Sequence, residues 1–331
     1  GRHTEKEQGE MIASMVHDIH ASGSVGALIF AWQDEWFKRT WNTMDFDLEW
    51  QRPFWSNVET NEQMFGLLTF EPGETLKIKL DGKVNDWVEI PYLSTTDLKL
   101  KATQDERYIY VLVELESISE DTIYIGIDTI PNQGNLSYPA ANLSFNRDAD
   151  FLISIGNESR IQVDPYYDAF SHLYGDVLDM VDKPLGMYTI NSGLFTNMYH
   201  ALSKELLIPG TNEVIPFSKY EAGLLIEGIS DPNHKDYNSL ADYYRNDQYI
   251  EIRIPYLLLN IMDPSTKTRM SNFKGDNVFT GESFDFIYIG ASTGNDSMSL
   301  APYTWENWEY PTYHERLKQS YFIVQETFRR Y

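Results

Sequence analysis

From about residue 64 onward, apolar residues recur at every second position. Leu76-Lys-Ile-Lys-Leu80, Leu98-Lys-Leu-Lys-Ala102, Tyr249-Ile-Glu-Ile-Arg-Ile254 and Phe284-Asp-Phe-Ile-Tyr-Ile289 all alternate. Tyr108–Val113, Thr122–Ile127, Phe151–Ile155 and Leu224–Ile226 are further strand-like runs, and turn signals such as Asp81-Gly82 and Asn132–Asn135 separate them. A period of two means one buried and one wetter face. Many such strands without intervening helical patterns predict an antiparallel β-sandwich.

The first 40 residues follow other rules. Thr4 and Glu7 form a capping-box pattern, and Met11, Ile12, Met15, Val16 and Ile19 recur at helical spacing up to Gly23. Val25–Trp32 is almost continuously apolar, as in a strand buried on both faces of a parallel sheet. One helix and one such strand cannot bury themselves, so residues 1–40 read as the last αβ unit of an α/β barrel; a helix-strand pair docked on the β domain is the alternative. Residues 32–61, crowded with aromatic and charged side chains, read as a connector. The expected organisation is 1–62 as a helix-strand remnant of a barrel plus connector, 63–312 as the β-sandwich with a long insertion near 164–221, and 313–331 as a tail. That tail admits either a helix or an extended arm.

Charge excludes some partners. Fifty acidic residues against 26 basic ones give a formal charge of −24, which repels phosphate backbones, so nucleic acid is not an expected partner. No apolar run reaches the ~18 residues of a membrane helix, so no membrane insertion is expected. The chain has no Cys, hence no disulfide and no thiolate metal site.

Several passages, in order, resemble family 9 carbohydrate-binding modules and the related DOMON-type sandwiches. They are Asp81-Gly-Lys-Val-Asn-Asp-Trp87, Asp105-Glu-Arg-Tyr-Ile-Tyr-Val111, Asp121-Thr-Ile-Tyr-Ile-Gly-Ile-Asp128 and Tyr249-Ile-Glu-Ile-Arg-Ile-Pro255. Gly26–Lys38 looks like the end of the last strand in glycoside hydrolase barrels. The pairing also resembles the C-terminal region of bacterial chains labelled as family 2 glycosyl transferases. The resemblance implies a non-catalytic carbohydrate-binding region of a polysaccharide-active protein, extracellular or at the cell surface. Its expected partners are a poly- or oligosaccharide and an upstream catalytic domain. The alternative is a structural or interaction module without sugar affinity. Family 9 modules clamp a sugar between two Trp rings; Glu116–Asp121, where the first would stand, has no aromatic, while Trp305 and Trp308 match the second.

Sugar sites combine aromatic faces with carboxylates and amides. Tyr303, Trp305, Glu306, Asn307 and Trp308 supply both within six positions, and Trp87 is a further candidate. Trp32, Asp34, Glu35 and Trp36 form a second candidate cluster. Adjacent Asp34 and Glu35 point to opposite sides of an extended segment, so they are not a hydrolytic pair; one of them in an ion pair with Lys38 or Arg39 is the plainer expectation. No catalytic residue is nominated. Asp128, Asn132, Asn135, Asp148 and Asp150 offer a loop-rich oxygen set that suits Ca2+, and the same residue types are ordinary in turns. Gly290-Ala-Ser-Thr-Gly294 matches a nucleophile elbow but no helical stripe follows, so Ser292 reads as a turn residue.

Overall fold

A computed structural model describes residues 2–95, 98–115, 122–294 and 296–331. Glu116–Asp121, the segment expected to precede the strand ending at Asp128, lies outside the described residues.

The alternating runs build two antiparallel sheets. Sheet I has five strands in the spatial order Tyr243–Arg245, Tyr249–Pro255, Tyr108–Glu114, Lys99–Gln104 and Tyr92–Ser94. Sheet II has six, in the order Thr196–Asn197, Arg160–Val163, Phe151–Ile155, Ile123–Asp128, Ile287–Ser292 and Ala301–Tyr303. Ile109, Val111 and Val113 of sheet I share one buried cluster with Ile250, Ile252 and Ile254, and with Ile125, Ile127, Ile153 and Ile289 of sheet II. β-branched residues at every second position fill such a layer with little rotamer freedom lost. Each fully buried Ile contributes roughly 1.5–3 kcal/mol relative to exposure.

Two expected strands are not ladder strands. Leu76–Leu80 has no ladder partner among the described residues, yet its alternation is obeyed: Ile78 and Leu80 are buried with Trp87, Tyr108, Tyr110 and Leu112 over the outer face of sheet I. Leu224 makes only an isolated bridge to Arg160. The segment 164–221 is as irregular as expected. It holds a wide helical turn at Ser171–Val177, a paired Tyr199–Ser203 and Ser218–Glu221, and a short hairpin at Leu206–Leu207 and Val214–Ile215.

At the N-terminus, helix α1 (Glu5–Ala21) forms with the capping box intact, the Thr4 side chain and the Glu7 side chain each taking the other's backbone N–H. The strand expected over Val25–Trp32 does not form. A strand needs a neighbour for its backbone groups, and only the end of this run finds one: the Leu67 and Leu68 N–H groups donate to the Trp32 carbonyl at 2.9 and 3.0 Å. Val25 and Leu28 are fully exposed and Phe30 largely so. The tail uses both conformations that its sequence admits. Tyr313–Leu317 pairs antiparallel with Leu68–Pro72, and helix α2 (Gln319–Phe328) then lies against α1. The two helices touch at Gly9, where a Cβ would stand 2.8 Å from the Ser320 Cα.

Candidate functional site

The outer face of sheet I carries Tyr108 and Tyr110 on one strand and Glu251 and Arg253 on the next, with Arg253 opposite Tyr110 in the ladder. At one end this face is sealed. Trp87 is fully buried and donates its indole N–H to Glu251 Oε1 at 2.8 Å, while Glu251 Oε2 accepts from the Asp81 and Gly82 N–H groups at 3.0 and 2.6 Å. Burial lifts the Glu251 carboxyl to about 7 despite those three donors. Gly82 is held at φ +75°, and a Cβ there would stand 2.6 Å from the Tyr244 ring, which explains the Gly of the Asp81-Gly82 turn.

At the other end the face opens into a cavity of about 580 Å³, a size within the rough 300–1,000 Å³ of small-molecule sites. Its floor is Tyr108, Tyr110 and Arg253; its walls come from the start of α1, residues 58–65, the 230–242 loop and the Leu68–Pro72/Tyr313–Leu317 pair. Ion pairs tie these walls together. Arg316 meets Glu5 at 2.6 Å and Glu71 at 2.7 Å; Arg107 meets Glu71 at 2.9 Å; Arg2 meets Asp242 at 2.8 Å. The Tyr237 hydroxyl donates to Glu5 Oε1 at 3.1 Å. Burial alone would raise the Glu71 carboxyl, but the Arg107 and Arg316 guanidinium groups outweigh it and hold it at about 2. Asp242, enclosed in the same wall, is raised by burial against the pull of Arg2.

The residues nominated from sequence are mostly elsewhere. Trp305 is 6% exposed, packs against Tyr256, Phe284 and Tyr303, and donates its indole N–H to the Pro264 carbonyl at 2.8 Å. Trp308 is half-buried and donates to the Phe54 carbonyl at 2.7 Å. Of the residues nominated there, Trp305 is a core residue with its polar edge satisfied, Tyr303 and Trp308 are half-buried, and Glu306 and Asn307 are exposed. Tyr303 closes the edge of sheet II. Trp87 is likewise core.

Trp32 is exposed, edge-on to Tyr321 of α2. Asp34 is buried and paired with Lys318 at 2.6 Å, far along the chain rather than with Lys38 or Arg39; Glu35 is the residue that pairs with Lys38, at 2.8 Å. Trp36 packs near Tyr313, with the Arg107 guanidinium over its ring.

Several oxygens of the set nominated for calcium make local bonds, while Asp150 Oδ1 is buried with no hydrogen-bond partner among the described residues. Asp128 pairs with Arg147 at 2.8 Å, Asp150 Oδ2 accepts the Thr129 and Ile130 N–H groups, Asn135 bridges Gly193 and Leu194, and Asn132 occupies a left-handed turn position. Asp148 lies in the adjoining strand Leu143–Ala149. Among the described residues no group of three or more His, Cys, Asp or Glu is placed to hold a metal. Ser292 lies in a sheet II strand, and its hydroxyl accepts the Gly294 N–H at 3.2 Å, as in a turn.

No family model, curated protein or solved structure matches the chain.

The cavity had one local signal in the sequence: Glu251 and Arg253 are charges embedded in an otherwise apolar strand. The wall contacts had none, because Arg316 lies 245 positions from Glu71 and 311 from Glu5.

Proposed function

We propose that the chain is a non-catalytic carbohydrate-binding region, and that its site is the cavity on the outer face of sheet I. In this reading the two sheets pack as an antiparallel β-sandwich of the carbohydrate-binding-module kind. The chain serves a larger polysaccharide-active protein, extracellular or at the cell surface. One observation carries the reading: tyrosine rings, guanidinium groups and carboxylates converge on one concave space of ligand size. Tyr108, Tyr110, Tyr220 and Tyr237 offer apolar ring faces for sugar C–H groups together with polar hydroxyl edges. The reading is non-catalytic, and it is supported by the arginine pairing of three carboxylates that line the cavity, Glu5, Glu71 and Asp242. A carboxyl at about 2, like that of Glu71, is too acidic to hold a proton for a leaving group.

Affinity-gel electrophoresis on a panel of soluble glycans tests this. The wild-type chain should be retarded by at least one glycan, and Tyr237→Ala should migrate faster on that glycan. Unretarded migration on every glycan would contradict it.

A second reading is favoured by the exposed run Val25–Phe30. An extended apolar segment whose backbone pairs with no other among the described residues fits strand addition to another sheet. The chain would then be an interaction module docked on a glycoside hydrolase barrel or a glycosyl transferase, without sugar affinity. Unchanged mobility across the panel would favour that reading.

A further inference from the structure

Arg253 stands apart from every other arginine around the cavity. Arg2 is matched by Asp242, and Arg107 and Arg316 are matched by Glu71 and Glu5. Lys318 is matched by Asp34, and Glu59 faces His200 at 3.3 Å. Arg253 makes no ion pair among the described residues. Its Nη2 donates to the Ser239 carbonyl at 2.8 Å, its guanidinium carbon lies 4.8 Å from the Tyr108 ring centre, and its Nε is buried with no partner. The Tyr108 hydroxyl beside it forms no hydrogen bond among the described residues either.

The Asp242 and Glu71 carboxylates favour the charged form of Arg253 through space, but neither lies within ion-pair distance of it. This guanidinium, with no carboxylate in direct contact among the described residues, sits on the cavity floor, and its fork suits a planar carboxylate. The neighbouring Glu5, Glu71 and Asp242 disfavour a group with more than one negative charge, such as phosphate.

We propose that the cavity takes a carboxylate-bearing sugar, a uronic acid residue of an oligosaccharide, with its carboxylate on Arg253 and a ring hydroxyl on Tyr108. This rests on the carbohydrate reading above and narrows it to acidic glycans.

Isothermal titration with tetramers of galacturonate, glucuronate and mannuronate, their methyl esters and inorganic phosphate separates the two claims. At least one acidic tetramer should bind tenfold or more tightly than its methyl ester. Arg253→Gln should remove that preference, and Arg253→Lys should keep part of it. Equal binding of acid and ester would overturn the acidic-sugar inference and leave carbohydrate binding standing. Phosphate binding as tightly as any tetramer would overturn it in favour of a general anion site. Failure of every glycan to bind would overturn both. The acid-to-ester ratio of the wild-type chain decides the matter alone if Arg253→Gln does not fold.

Discussion

The two faces of sheet I are built from the same strands and do opposite work. The inner face is Ile109, Val111 and Val113 beside Ile250, Ile252 and Ile254, in one buried cluster with residues of sheet II. The outer face, one residue out of phase, is Tyr108 and Tyr110 beside Glu251 and Arg253. Both faces are largely covered, but only the inner one is apolar throughout. Covering polar groups obliges each to find a partner, and the outer face meets that with ion pairs drawn from both ends of the chain. A one-residue slip in either strand would exchange the faces, so the register that sets the core also sets the site.

The comparison breaks most readily at the ion network. Glu71→Ala leaves Arg107 without its carboxylate and Arg316 with Glu5 alone; such a loss costs about 3–5 kcal/mol, read as a lower urea midpoint. On the inner face, Ile252→Ala should cost about 2–5 kcal/mol, the range for large-to-small changes in a packed layer. Unlike Glu71→Ala, it should leave the salt dependence of stability unchanged.

A smaller effect is tied to pH. At the ends of sheet II strands, burial raises Asp128 to about 6 and Asp164 to about 7, and pushes Asp150 up in the same direction. These carboxyls hold protons in the folded chain that the unfolded chain releases near 3.9, roughly. Their contribution to stability is therefore full below that value and is lost as pH rises through about 6 to 7. The thermal midpoint of Asp164→Asn should fall less between pH 4.5 and 8 than that of the wild type. An equal fall in both would break this assignment.

The smallest effect belongs to the exposed run. Leu28→Asp touches no packed layer and should shift the urea midpoint by no more than about 0.5 kcal/mol of stability. A large loss would mean that Val25–Phe30 is buried after all.

Both sheets and the capped helix were legible because they are written in local period and local capping: Thr4 and Glu7 are three positions apart, and Tyr249–Pro255 alternates within one strand. Val25–Phe30 was misread because apolar composition states a capacity for burial, whereas burial itself needs a neighbour that these residues do not meet. Trp305 was misread for the converse reason. Its company of carboxylate and amide neighbours suggested a sugar site, yet a satisfied indole N–H and three aromatic contacts put it in the core. The cavity was out of reach because contacts such as Glu5–Arg316 join the two ends of the chain and leave no periodic trace.

Hydrogen–deuterium exchange with and without a retained glycan tests the location of the site directly. The expected result is slower exchange at residues 108–110, 237–242 and 251–253, with residues 301–308 unchanged. Protection confined to 301–308 would place the sugar at the tryptophan loop and contradict the assignment to the outer face of sheet I.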